Sequence, residues 1–210
     1  MISRIFKCKR LFGFFFLASS TAVIIALTLF TLQSFRRFYE TWFVSVFSEG
    51  KINATHYLVG FLHYWGSITV VLAGATGFDR SRPVGKDFTF SLSFLEIVGI
   101  VLFAYAWINQ YKTAIILANL RKDSSGNVVT VQHKIAHGGL FKYLSSPHLT
   151  CEILIYISLW LILFNNYMFQ YVLLWVVSNQ VETALLNHWW YLKRFKNYPK
   201  ERKAVLPFVI

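Results

Sequence analysis

Long apolar runs separated by short polar and basic segments constrain this chain more than any other feature. The first run, Leu11 to Leu32, is interrupted only by Gly13, Ser19, Ser20, Thr21, Thr28 and Thr31. A bilayer core requires about 20 mostly apolar residues in a helix, so this run is long enough to span. Further runs cover about His56 to Ala75, Leu92 to Ile108, Leu149 to Phe164 and Met168 to Leu186. Only 14% of the residues are charged and 56% are hydrophobic, whereas a soluble domain carries roughly 25% charge. The expected fold is therefore all-α: a polytopic membrane helical bundle of about five transmembrane helices, with cytosolic loops and an interfacial C-terminal helix.

The first run has a rival reading as a cleaved signal peptide, because Arg4, Lys7, Lys9 and Arg10 precede it. Its length exceeds the roughly 7–15 apolar residues of such a peptide, and no small-residue cleavage site follows, which favours a retained span. After Ile108 the third run continues as an amphipathic helix to Lys122, stopped by the turn chemistry of Asp123-Ser124-Ser125-Gly126-Asn127. Val128 to Gln132 reads as a short strand or an extended connector, and Asn165-Asn166 as a tight turn. The tail from His188 to Ile210 alternates aromatic and basic residues and reads as an interfacial helix with a loop.

The net charge of +12 sits between apolar runs, which suits headgroups or an anionic cofactor and argues against nucleic acid as a partner. With alternate segments on opposite sides, one side collects seven Lys and Arg and the other fourteen. The positive-inside rule then puts the second side, with the C-terminus, in the cytosol, against the pull of the basic N-terminus. The sequon Asn53-Ala54-Thr55 falls on that side and is expected to stay unglycosylated.

Phosphate-binding glycine loops, zinc-protease and serine-hydrolase motifs are absent from the sequence. Cys8 and Cys151 offer neither zinc spacing nor a disulfide framework, and Cys151 reads as a buried thiol. The chemistry-bearing residues cluster at the cytosolic ends of the last three spans. Glu152 lies about one turn inside the fourth span, where a carboxylate is costly unless paired or solvated. It reads either as a boundary residue reaching headgroups or as an acceptor facing the bundle, with His148 four residues earlier on the same face.

The block from His133 to Tyr143 joins cations, aromatics and the pair Gly138-Gly139. Arg121, Lys134 and Lys142 can neutralise phosphates, the glycines admit close backbone approach, and Phe141 or Tyr143 can stack on a ring. The bland alternative is a basic loop against headgroups. The histidines lack carboxylate or thiolate partners at ligand spacing, so no metal is expected. In the fifth span Asn179 and Glu182 share a face, with Gln180 beside them. His188 and Tyr191 are co-facial further on, where belt aromatics or interhelical hydrogen bonds are the alternative reading.

The run Gln110-Tyr111-Lys112 through Leu120-Arg121-Lys122 resembles the steroid 5-alpha-reductase family. So do His133-Lys134-Ile135, Gly138, Phe141, Tyr143-Leu144-Ser145-Ser146-Pro147-His148, Glu152, Tyr198-Pro199-Lys200, Arg202-Lys203-Ala204 and Leu206-Pro207-Phe208. Ser34 to Glu40, Val44 to Ser48 and Ser145-Ser146-Pro147 resemble its polyprenol-reducing branch. The likeness covers about Leu32 to Ile210, dividing the chain into a 1–50 N-terminal membrane segment with its first loop and a 51–210 reductase-type membrane domain.

The resemblance implies a multi-pass enzyme of the endoplasmic reticulum membrane. It would use NADPH to saturate the α-isoprene double bond of a long-chain polyprenol or polyprenal, in dolichol synthesis for protein N-glycosylation. It further implies that Gln110, Arg121, His133, Lys134, His148, Glu152 and Tyr191 line the NADPH site. Alternatives are a 3-oxo-steroid or enoyl-thioester reductase, or a shortened inactive membrane paralogue. Two departures matter: Ala136 stands where the family has Pro, and the family places two further spans, with a carbonyl-polarising acid, before the segment near Leu32. No Asp or Glu precedes Glu40 here, so the substrate-polarising residue is unassigned.

Overall fold

A computed structural model of the chain describes residues 18–47, 51, 53–75 and 90–206. Cys8, the run from Leu11 to Leu17, most of the loop 76–91 and the terminal Pro207-Phe208 lie outside the described residues. Within them the protein contains five α-helices: α1 (Ser20–Tyr39), α2 (Ala54–Ala73), α3 (Phe94–Asn119), α4 (Pro147–Ile162) and α5 (Phe169–Arg194). No strand occurs among the described residues; Val128 to Gln132 is an extended connector with one isolated bridge, Lys122 to Val128.

Four of the five helices begin where the sequence supplies a start signal. The Ser19 side chain accepts the Ala22 amide of α1, Asn53 accepts the Thr55 amide of α2, and Pro147 occupies the first turn of α4. Ser93 and Glu96 form a reciprocal capping box at α3. The 26-residue α3 is long and apolar enough to cross a membrane, at about 1.5 Å per residue. It packs most extensively on α4, which in turn packs on α5. Gly99 permits that approach: a Cβ there would lie 2.7 Å from the Ser158 carbonyl oxygen. Asn165-Asn166 makes the expected turn, and Asn166 donates to the Val70 carbonyl at the end of α2.

Two helix ends differ from expectation. α1 continues past Leu32 to Tyr39, then widens into a π-turn over Glu40–Val44. The segment looks like a loop because it is polar, but Gln33, Arg36 and Glu40 are buried against other helices. α5 runs unbroken through His188 to Arg194, so the expected interfacial helix is the last two turns of α5. No glycine or proline intervenes to separate them. After α5, the chain returns beneath the start of α4: Ser145 donates to the Lys203 carbonyl, Lys203 to that of Tyr143, and Thr150 to that of Val205.

The core comprises small, aliphatic and aromatic residues from all five helices, among them Ala26, Phe30, Val71, Phe103, Ile155, Leu159 and Phe169. The outer surface is apolar as well. Trp42, Phe43, Phe94 and Val101 are each more than 60% exposed, a display that water-soluble bundles avoid.

Candidate functional site

The segment Ser45 to Phe47, the C-terminal ends of α3 and α5 and the start of α4 surround a cleft of about 540 Å³. Five of the seven expected site residues line it: Arg121, His133, Lys134, His148 and Tyr191. The loop 123–127 brings this about. Asp123 Oδ1 accepts the Ser125 and Asn127 amides, each at 2.9 Å, reversing the chain after α3. The connector then carries His133 and Lys134 to the end of α5, where His133 meets Trp190 edge-on at 5.0 Å between centroids.

Arg121 donates through Nη1 to the Val46 carbonyl, and Lys122 Nζ lies 3.5 Å from that of Val44. The segment after the π-turn is therefore strapped across the cleft, and Ser45 and Val46 contribute to its wall. Opposite stands an aromatic ladder: Tyr191 stacks on Phe195 at 5.8 Å and on Tyr198 at 5.3 Å. Tyr198 donates to Ser145 Oγ at 2.7 Å, and Ser145 Oγ lies 2.6 Å from His188 Nδ1. Burial, reinforced by the Lys203 ammonium, lowers the His188 pKa from its ordinary value. His188 lies beyond the apolar part of α5, and this shift favours a neutral ring that accepts from Ser145.

Gln110 and Glu152 lie outside the cleft lining, one layer deeper in the bundle. Gln110 Nε2 donates to Glu152 Oε2 at 2.6 Å and to the His148 carbonyl at 3.0 Å. Gln33 donates to Glu152 at 3.3 Å, and Arg36 donates to Gln33 at 2.8 Å and also to Gln110. Glu40 completes the network, 2.9 Å from both Arg36 and Arg37. Glu152 is thus a bundle-facing acceptor and not a headgroup contact.

The glycine pair and Lys142 have other tasks than the sequence suggests. Gly138 and Gly139, with φ of 91° and 50°, turn the chain into the short 3-10 helix Gly139–Lys142, which sets Phe141 into the cleft floor. Lys142 sits over the Tyr143 ring at 5.5 Å, and neither lines the cleft. Asn179 and Gln180 border a separate recess with His56 and His63. Among the described residues no cluster of three or more metal-ligating side chains occurs.

Ser45, Ser146, Asn187 and Trp190 also line the cleft; none is among the expected site residues, although Ser45 and Ser146 lie in family-like segments and Trp190 reads as a belt aromatic. Asn187 had a signal, lying four residues before Tyr191 on one helical face. In the polar layer, Arg36 and Glu40 had the family-like segment Ser34 to Glu40 as a signal, and Gln33 had none.

The fold and site define an all-helical protein with a cationic, aromatic-walled cleft at one end of the bundle, above a buried polar layer. The chain belongs to the 3-oxo-5-alpha-steroid 4-dehydrogenase family, the steroid 5-alpha-reductases, which it matches over residues 81–210. It is 42% identical over 196 residues to a polyprenal reductase of Drosophila melanogaster, covering 91% of this chain and 59% of that one. It is 37% identical to a polyprenal reductase of Caenorhabditis elegans, covering 89% of this chain and 60% of that one. With the human polyprenal reductase it shares 35% identity, covering 90% and 60%. The chain thus spans about six-tenths of the length of these relatives.

Proposed function

We propose that the protein is a membrane-embedded oxidoreductase that uses NADPH to saturate the α-isoprene double bond of a long-chain polyprenal. The observation that carries this reading is the cleft, where Arg121 and Lys134 face aromatic walls. Cations meet phosphates and aromatic faces meet heterocycles. The residue set fits a dinucleotide in one further respect: His148 Nδ1 is buried at the cleft with no hydrogen-bond partner among the described residues. Such orphaned atoms are rare without a missing ligand or water.

Arg121, Lys134 and His133 would hold the phosphates, Tyr191 and Trp190 would bound a ring, and His148 would donate or accept at its free nitrogen. Glu152 and Gln110 would act from the layer beneath. Bound NADPH supplies hydride. An α,β-unsaturated aldehyde can take up the resulting charge on its carbonyl oxygen, whereas an isolated allylic alcohol has no such sink. The aldehyde is therefore the proposed acceptor, and the lipid would approach from the bilayer, in keeping with the exposed aromatic and aliphatic surface. The membrane is proposed to be that of the endoplasmic reticulum, crossed several times with cleft and C-terminus cytosolic, and the product to feed dolichol synthesis.

Purified full-length protein in lipid nanodiscs, given NADPH and polyprenal, should yield the saturated aldehyde by mass spectrometry. Polyprenol should not turn over without prior oxidation, and direct reduction of the alcohol would refute the aldehyde reading. The family description favours one rival, a 3-oxo-steroid. Its faster reduction in the same assay, alongside an enoyl thioester, would transfer the substrate assignment.

A further inference from the structure

The last two turns of α5 carry a charge pattern that the cleft does not use. We propose that these turns, with the segment running on to Lys200, dock the phosphate-bearing headgroups of anionic membrane lipids. The inference rests on the membrane setting proposed above and not on the reaction.

Lys193, Arg194, Lys196 and Lys200 are all exposed, and no acid stands between Glu182 and Glu201. The ion pairs among the described residues belong to Arg36, Arg37 and Glu40, so none of these four cations has a carboxylate partner there. None lines the cleft either, whose cations are Arg121 and Lys134. The negative end of the helix dipole explains Lys193 and Arg194, which sit in the last turn of α5. It does not explain Lys196 and Lys200, which lie beyond the helix. Unpaired like charges so close in the chain repel one another, and an anionic surface that meets them together relieves that repulsion.

The apolar neighbours decide which anionic surface. Leu186 and Trp189 are 55% and 53% exposed. Leu186, Trp189 and Lys193 are spaced three and four apart, on one face of α5. From Leu186 to Lys193 the helix rises about 10 Å, which exceeds the roughly 5–8 Å of one headgroup layer. Leucine, then tryptophan, then cations is the order of a bilayer edge read outwards: acyl chain, interface, phosphate. A soluble polyanion would satisfy the cations but leave Leu186 and Trp189 in water. Trp190 and Tyr191, on the same turns, wall the cleft. A docked headgroup therefore fixes the height at which the cleft opens to water.

The probe is phosphatidylserine, a minor component of phosphatidylcholine nanodiscs that hold the full-length protein. Native mass spectrometry of protein released from the discs should find phosphatidylserine enriched about fivefold over its bulk fraction, the effect of one cation near an anionic headgroup. Lys193→Gln, Lys196→Gln and Lys200→Gln combined should return it to the bulk fraction. Lys200→Gln alone, outside the helix, should give a partial loss, which keeps the test available if the triple variant does not fold. Removing three other exposed cations, by Lys51→Gln, Lys112→Gln and Lys142→Gln, should leave the enrichment in place. Equal enrichment in both triple variants, or none in the unmodified protein, would overturn the assignment. Displacement of the bound phosphatidylserine by inorganic phosphate would also overturn it, marking a free-anion site. A raised Kd for NADPH in the first triple variant at physiological salt would give these cations to the cofactor instead. Each of these results leaves the reductase reading standing, since none measures turnover. Failure of the unmodified protein to enter nanodiscs would bring down the membrane setting as well.

Discussion

Arg36 in the last turn of α1 and Glu40 at the start of the π-turn lie four residues apart, with side chains only 4% and 1% exposed. An ion pair so buried is costly to desolvate, and removing one partner typically costs about 3–5 kcal/mol because the other charge is left stranded. Glu40→Gln should therefore lower the thermal unfolding midpoint in detergent sharply. Its effect should shrink in an Arg36→Met background, where the stranded cation is gone. The cleft makes a second contrast. Arg121→Ala should weaken NADPH binding roughly 10- to 100-fold, the worth of a hydrogen bond to a charged group, in a fluorescence titration. Lys142→Ala should leave it unchanged, since Lys142 rests on Tyr143. The sequence offers these two cations as equivalents; they part because Arg121 follows the end of α3 and is tied to Val46, whereas Lys142 ends the 3-10 turn and lies on Tyr143.

At the scale of elements, the 3-10 turn and the π-turn do the positioning. Gly138 adopts φ 91° and ψ 164°, a region essentially reserved for glycine, where another residue costs about 1–3 kcal/mol. Gly138→Ala should depress the unfolding midpoint and weaken NADPH binding together, because the turn it opens places Phe141 in the cleft floor. Helix existence was legible from the apolar runs, which came within about two residues of the starts at Ala54, Phe94 and Pro147. The end of α1 was not: Gln33 and Arg36 look solvent-seeking until Gln110, 74 residues beyond Arg36, offers them partners.

For the whole molecule, the proposed membrane setting would commit the cleft to one side of the bilayer. Asn53 heads α2 and its side chain accepts the Thr55 amide at 2.9 Å, so the sequon is folded into a helix cap on the cleft side. Expressed in cells, the protein should show no mobility change on treatment with an N-glycosidase. Glycan at Asn53 would invert the topology and place the cleft in the lumen.

The sequence by itself determined the apolar helices, their approximate ends and the residue types around the cleft, because burial in a membrane-like surround and helix capping are encoded locally. It also carried the family motifs, among them Arg121, His133, Lys134, His148 and Tyr191. Tertiary structure alone decided which polar residues meet. Gln110 and Glu152 withdraw from the cleft into a layer with Gln33, Arg36 and Glu40, and His63 finds the Tyr156 hydroxyl. Those partnerships form between helices far apart in the chain, and no local pattern specifies them.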